Sequence, residues 1–119
     1  MQLKNLIHIR DIEYFEGPLL SEYKDDNENI YIKKWCSWND VSETWLLVLT
    51  TSEDINKYLS KTMSLLNLIQ NGKNFIIETR NINGSSSSHN VMFEDIDVDY
   101  LPKNNAFYDE SLAPRTPKK

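Results

Sequence analysis

The chain has 119 residues, 39% of them hydrophobic and 11% aromatic, with 13 basic and 18 acidic side chains and a formal net charge of −5. That length holds one hydrophobic core, the composition is too apolar for intrinsic disorder, and the acidity argues against nucleic acid, whose phosphates are held by lysine and arginine. A single cysteine, Cys36, excludes an internal disulfide and suits a reducing, cytoplasmic setting. The opening residues interleave polar and apolar types unlike a signal peptide, and no apolar run reaches the roughly 18 residues of a membrane span, so no membrane partner is expected.

In chain order, Leu3 to Tyr14 reads as an extended edge segment, broken by Gly17-Pro18. Leu19 to Lys24 and Ile30 to Ser37 flank the turn formers Asp25-Asp26-Asn27-Glu28-Asn29, the pattern of an antiparallel hairpin with a charged tip. Thr44 to Thr50 contains Trp45-Leu46-Leu47-Val48-Leu49, apolar at every position, as in a central strand buried on both faces. Its second face therefore needs a cover: the N-terminal segment, the C-terminal tail or a partner chain.

A helical hairpin is expected over about residues 52–71. Thr51 or Ser52 caps the first helix, Glu53 and Asp54 suit its positive end, and Ile55, Tyr58, Leu59 and Met63 form one apolar stripe. Ser64 caps a second helix that stops at Asn71-Gly72. Strands are expected at Asn74 to Arg80 and at Asn90 to Ile96, with Asn83 to Ser88 as a flexible loop between them. Phe107 and Tyr108 are candidates to dock on the sheet. The sum is an α+β fold: an antiparallel sheet of five or six strands with the helical hairpin on one face, a single domain over residues 1–112, and a disordered basic tail over 113–119.

Reaction centres find little material. A nucleophile would be Cys36 or a serine with a histidine base, yet only His8 and His89 exist and neither lies in a recognisable motif. Cys36 stands between Trp35 and Trp38 in a strand, where it acts as a small hydrophobe. Asp95, Asp97 and Asp99 would align along one side of a strand and could draw a cation. As a calcium loop the segment fails, with Tyr100 at the glycine position and Ala106 at the bidentate glutamate position. The isolated Gly17, Gly72 and Gly84 build no phosphate loop. No cofactor and no catalytic residue are expected; a minimal enzyme or metal-binding protein using Cys36 or the Asp95, Asp97, Asp99 set is the alternative.

The aromatic surplus points elsewhere. Strict alternation puts Tyr31, Lys33, Trp35 and Ser37 on one face of their strand and Ile30, Ile32, Lys34, Cys36 and Trp38 on the other, so one large aromatic should be left exposed. Exposed Trp and Tyr ringed by charge is hot-spot composition. The expected partner-binding set is Tyr31, Trp35 and Trp38, with Asp25, Asp26 and Glu28 steering a basic partner protein. A homodimer through the second face of Trp45 to Leu49 is a further option.

The residues Tyr14-Phe15-Glu16-Gly17-Pro18-Leu19-Leu20, Ile30-Tyr31, Trp35, Trp45-Leu46-Leu47-Val48, Tyr58-Leu59, Ser64-Leu65, Tyr100-Leu101-Pro102 and Phe107-Tyr108-Asp109 resemble a family of small bacterial proteins classed as a domain of unknown function. The resemblance implies a free-standing bacterial α+β domain and carries no functional residue. Small proteins of this kind accompany toxin–antitoxin or phage-defence genes, which implies a subunit acting on a co-encoded protein.

Overall fold

The structure, a computed structural model, describes residues 5–114. Six strands follow one another as a meander: β1 (Ile7–Tyr14), β2 (Pro18–Lys24), β3 (Ile30–Trp38), β4 (Ser42–Thr50), β5 (Lys73–Asn81) and β6 (Ser86–Asn90), each antiparallel to its sequence neighbour. Two helices, α1 (Ser52–Leu59) and α2 (Leu65–Gln70), are inserted between β4 and β5. This is the expected α+β architecture, with the helical hairpin on one face of the sheet.

Local chemistry sets the turns. Asp25 accepts from the Asn27 and Asn29 amides, both at 2.9 Å, and so closes the β2–β3 turn. Thr51 Oγ1 accepts from the Asp54 amide and Ser64 Oγ from the Asn67 amide, capping α1 and α2. Helices of eight and six residues are too short to persist alone. They hold because Ile55, Tyr58, Leu65, Leu68 and Ile69 pack on Leu20, Ile32, Leu46, Val48 and Ile77 of the sheet, each such burial being worth about 1.5–3 kcal/mol. Gly72 lets the chain re-enter the sheet, because a Cβ there would collide with Val48 Cγ1 and the Leu49 carbonyl.

Two expectations at the C-terminal side are corrected. Strand β6 runs over Ser86–Asn90, where a flexible loop was expected as far as Ser88, and of the strand expected at Asn90 to Ile96 only Asn90 is in a strand. The hairpin closes at once at Asn83-Gly84: Gly84 takes φ 92° and Asn83 Oδ1 accepts from the Ser85 amide. The serines that follow are thereby delivered to the open edge of β5, with Ser86 opposite Arg80 and Ser88 opposite Glu78. Beyond β6 the chain crosses the helix-bearing face through short 3₁₀ turns at Phe93–Asp95, Val98–Tyr100 and Glu110–Leu112. Ile96, Phe93, Tyr100, Leu101 and Tyr108 pack on the core there, while Phe107 stays exposed. Of the tail expected to be disordered over 113–119, residues 115–119 lie outside the described residues.

A buried polar knot fastens this layer. Glu13 on β1 is only 8% exposed. Its Oε2 accepts from the Tyr58 hydroxyl at 2.9 Å and the Asp109 amide at 3.3 Å, joining the sheet edge, α1 and the C-terminal segment. Burial first, then the neighbouring Glu13 carboxylate, push the Tyr58 phenol far above its usual ionisation range, so it remains a donor. Tyr58→Phe removes that donor while keeping the ring. It should lower stability by about 1–3 kcal/mol in urea unfolding, and an unchanged midpoint would contradict the knot.

Candidate functional site

The site follows from a mismatch between the strands and their covers. Helices and C-terminal segment all pack on one face, against Leu46 and Val48 of β4. Trp45, Leu47 and Leu49 point to the other. On that second face Tyr31, Leu47 and Ile76 are nevertheless buried. Part of their cover is an ion pair. Lys33 of β3 and Glu78 of β5 flank β4 and meet across it at 3.0 Å. The Lys33 ammonium also lies 4.8 Å from the Trp45 ring centroid and 5.5 Å from that of Tyr23, with the Arg80 guanidinium 5.3 Å from the same indole. The lysine stem shields apolar surface while its charge stays paired.

Toward one end of the sheet the cover stops, and the face opens into a groove of about 920 Å³. Its aromatic wall is Phe15, Tyr23, Trp35, Trp38 and Trp45, and its charged groups are Glu16, Lys33, Asp40, Glu43 and Arg80. Three turns meet at this end because a meander returns there every second strand: β1–β2, β3–β4 and β5–β6. Three large apolar groups left in solvent stand on them, Phe15 63%, Trp38 64% and Ile82 80% exposed, while others such as Met92 and Val98 lie elsewhere. In the β1–β2 turn Glu16 takes φ 54°, a left-handed conformation that costs a side-chain-bearing residue about 1 kcal/mol or more. In the β3–β4 turn Asn39 Oδ1 accepts from the Val41 and Ser42 amides at 2.8 and 2.9 Å, fixing the loop that carries Asp40. The Ile82 amide donates to the Val41 carbonyl at 2.8 Å, tying the end of β5 to that loop.

Trp35 and Trp38 share the groove through a β-bulge. Trp35 pairs with Trp45, but Ser37 pairs with Thr44 and Trp38 with Glu43, so Cys36 is the extra residue. The strict alternation expected from the sequence put the two tryptophans on opposite faces; the bulge puts both beside Trp45. Cys36 turns toward the core instead. Glu43 lies opposite Trp38 and accepts from Trp35 Nε1 at 3.1 Å.

The expected partner-binding residues therefore occupy different places. Trp35 and Trp38 line the groove. Tyr31 is 1% exposed and lies beneath the surface. Asp25, Asp26 and Glu28 are at the β2–β3 turn, the opposite end of β3 from Trp38, roughly 25 Å away at about 3.3 Å per residue. Residues not singled out from the sequence, Glu43, Asp40 and Arg80, stand beside the tryptophans instead. Glu43 and Arg80 are signalled in sequence only by alternate placement on strands whose register is set by pairing, and Asp40 only by its place in the turn after Trp38.

The candidate reaction groups are dispersed. Cys36 Sγ donates to the Lys34 and Tyr100 carbonyls at 3.4 and 3.8 Å, and burial raises its pKa against a smaller opposing effect of Lys34. His8 and His89 lie on the two edge strands, β1 and β6. His8 Nε2 pairs with Asp11 at 2.7 Å, and Ser21 Oγ donates to the same carboxylate oxygen. Burial would raise the Asp11 pKa, but these two hydrogen bonds outweigh it and hold the carboxyl below its usual range. Serine and imidazole both spend their contact on Asp11, so neither activates the other. Asp95, Asp97 and Asp99 sit on two 3₁₀ turns, Asp97 accepting from the Asp99 amide. Among the described residues no group of three or more His, Cys, Asp or Glu side chains could hold a metal ion, and no helix is long and apolar enough to cross a membrane.

Comparison with protein-family models, curated proteins and solved structures finds no match. The groove is thus read on its own chemistry. One consequence concerns the thiol: near neutral pH, Cys36 should react with Ellman's reagent at least tenfold more slowly in the native chain than in denaturant, an order-of-magnitude figure. The native rate should rise only as pH passes the ordinary thiol range. Fast native reaction at neutral pH would contradict a half-buried, protonated sulfur.

Proposed function

We propose that the chain is a protein-binding module, acting as a non-catalytic subunit in the manner of an antitoxin, an immunity protein or a phage-defence component. Its binding surface is the groove end of the helix-free sheet face. The single observation that carries this reading is the gathering of Phe15, Trp35, Trp38 and Ile82 around one open groove on the face that no helix covers. Soluble domains rarely keep tryptophan and phenylalanine more than half exposed side by side unless something docks there. Large rigid aromatics give contact area at small entropic cost, which is why they dominate interface hot spots.

The acidic β2–β3 tip supports long-range steering rather than contact, given its distance from the groove. The reading is tested by tagging the chain in the cells that encode it. The wild type should retain one defined protein, for example a co-encoded one, and Trp38→Ala should cut that retention at least tenfold, the order of a hot-spot loss. Asp26→Asn at the far tip should change it little. Equal retention by wild type and Trp38→Ala, or none above an untagged control, contradicts the proposal.

A further inference from the structure

The groove's charges divide into two sets. The groove's cations lie along β3 and β5: Lys33 is paired with Glu78 and lies over Trp45 and Tyr23, and Arg80 lies over Trp45 and opposite Glu43 in the register without an ion pair to it. On the turn side stand Glu16, Asp40 and Glu43, interleaved with Phe15, Trp35 and Trp38. Among the described residues none of these three carboxylates has an ion pair. Glu43 is held between the two tryptophans, opposite Trp38 in the register and bonded to Trp35 Nε1. One half of the groove thus shows the complete arrangement of cation, indole and carboxylate. The other half has indole and carboxylates without an ion-paired cation, since Arg80, opposite Glu43 in the register, lies over Trp45 instead.

Resting on the protein-binding reading above, we infer that the missing cation comes from the partner: the turn side of the groove receives an arginine of a basic protein segment, stacked on the Trp38 and Trp35 side and paired with Glu43 and Asp40. Arginine fits better than lysine because its planar guanidinium stacks on an indole and bonds a carboxylate through two parallel N–H groups. Replacing water around the exposed Trp38 and the half-buried Trp35 by that flat cation also buries apolar surface, which a free ammonium does less well. The net charge of −5 brings such a segment in. An acidic segment would meet three carboxylates that, among the described residues, no ion pair neutralises, with Arg80 across the register from Glu43 as the cation beside them.

The test uses the intact chain and a tetra-arginine peptide, with tetra-lysine and tetra-glutamate peptides as references, followed by tryptophan fluorescence and calorimetry. Tetra-arginine should bind saturably, several-fold tighter than tetra-lysine, and tetra-glutamate not at all. Glu43→Gln and Trp38→Ala should each weaken it roughly three- to tenfold, the range of a cation–π or exposed ion-pair contact. Both side chains are exposed, so both variants should keep the wild-type unfolding midpoint. The double variant Asp26→Asn, Glu28→Gln at the far tip should bind like the wild type apart from a small general loss that vanishes at high salt. If the tip variant loses as much as Glu43→Gln, or if tetra-glutamate binds as well as tetra-arginine, the arginine site is wrong. If tetra-arginine fails while Trp38-dependent capture of a cellular protein persists, the chemistry of the partner falls and the binding surface stands.

Discussion

The second face of β4 has to be kept dry without a layer of its own, and the Lys33–Glu78 ion pair is the device that allows it. A strand reading Trp45-Leu46-Leu47-Val48-Leu49 cannot leave either side in water. Helices and the C-terminal segment cover Leu46 and Val48. Across the other side, a lysine stem and a carboxylate from the two flanking strands meet at 3.0 Å over the middle of β4. A second helical layer would have covered more, but would also have closed the face. The ion pair covers Leu47 and leaves the end of the sheet open, and the groove exists because the cover is this small.

Two local irregularities then decide what the groove contains. The bulge at Cys36 rotates Trp38 onto the face of Trp35 and Trp45, and sends the thiol into the core. The same step that assembles an aromatic surface removes the one cysteine from it. The left-handed Glu16 in the β1–β2 turn sets Phe15 and its own carboxylate on the facing rim. Backbone departures of this kind re-aim side chains at functional surfaces in sheet proteins.

The sheet was largely legible from residue type: the apolar run of β4, the Asp25 to Asn29 turn and the Thr51 and Ser64 caps all act through local chemistry. So was the helical hairpin, although its register on the sheet was not. β6 was hidden because four serines read as linker, whereas the Asn83-Gly84 turn, two residues earlier, determines that they pair with β5. The site was only half legible. Trp35 and Trp38 were visible as surplus aromatics, but their joining depends on a bulge that alternation cannot reveal. Glu43 and Arg80 became neighbours of the tryptophans only through the β3–β4 and β4–β5 pairings. Tyr31 looked like a surface candidate because it shares a face of β3 with Trp35, yet it is only 1% exposed.

On the proposed function, the helix-free side is the recognition side of a domain whose candidate reaction groups are spread apart and whose aromatic groups are collected. Site-specific photocrosslinking in the native cell tests this most directly, with a photoreactive residue placed at the exposed Ile82 beside the groove or at the exposed Asn56 on α1. The account predicts a discrete adduct to another protein from position 82 and none from position 56. An adduct from 56 with none from 82 would place the partner on the helical side and contradict it.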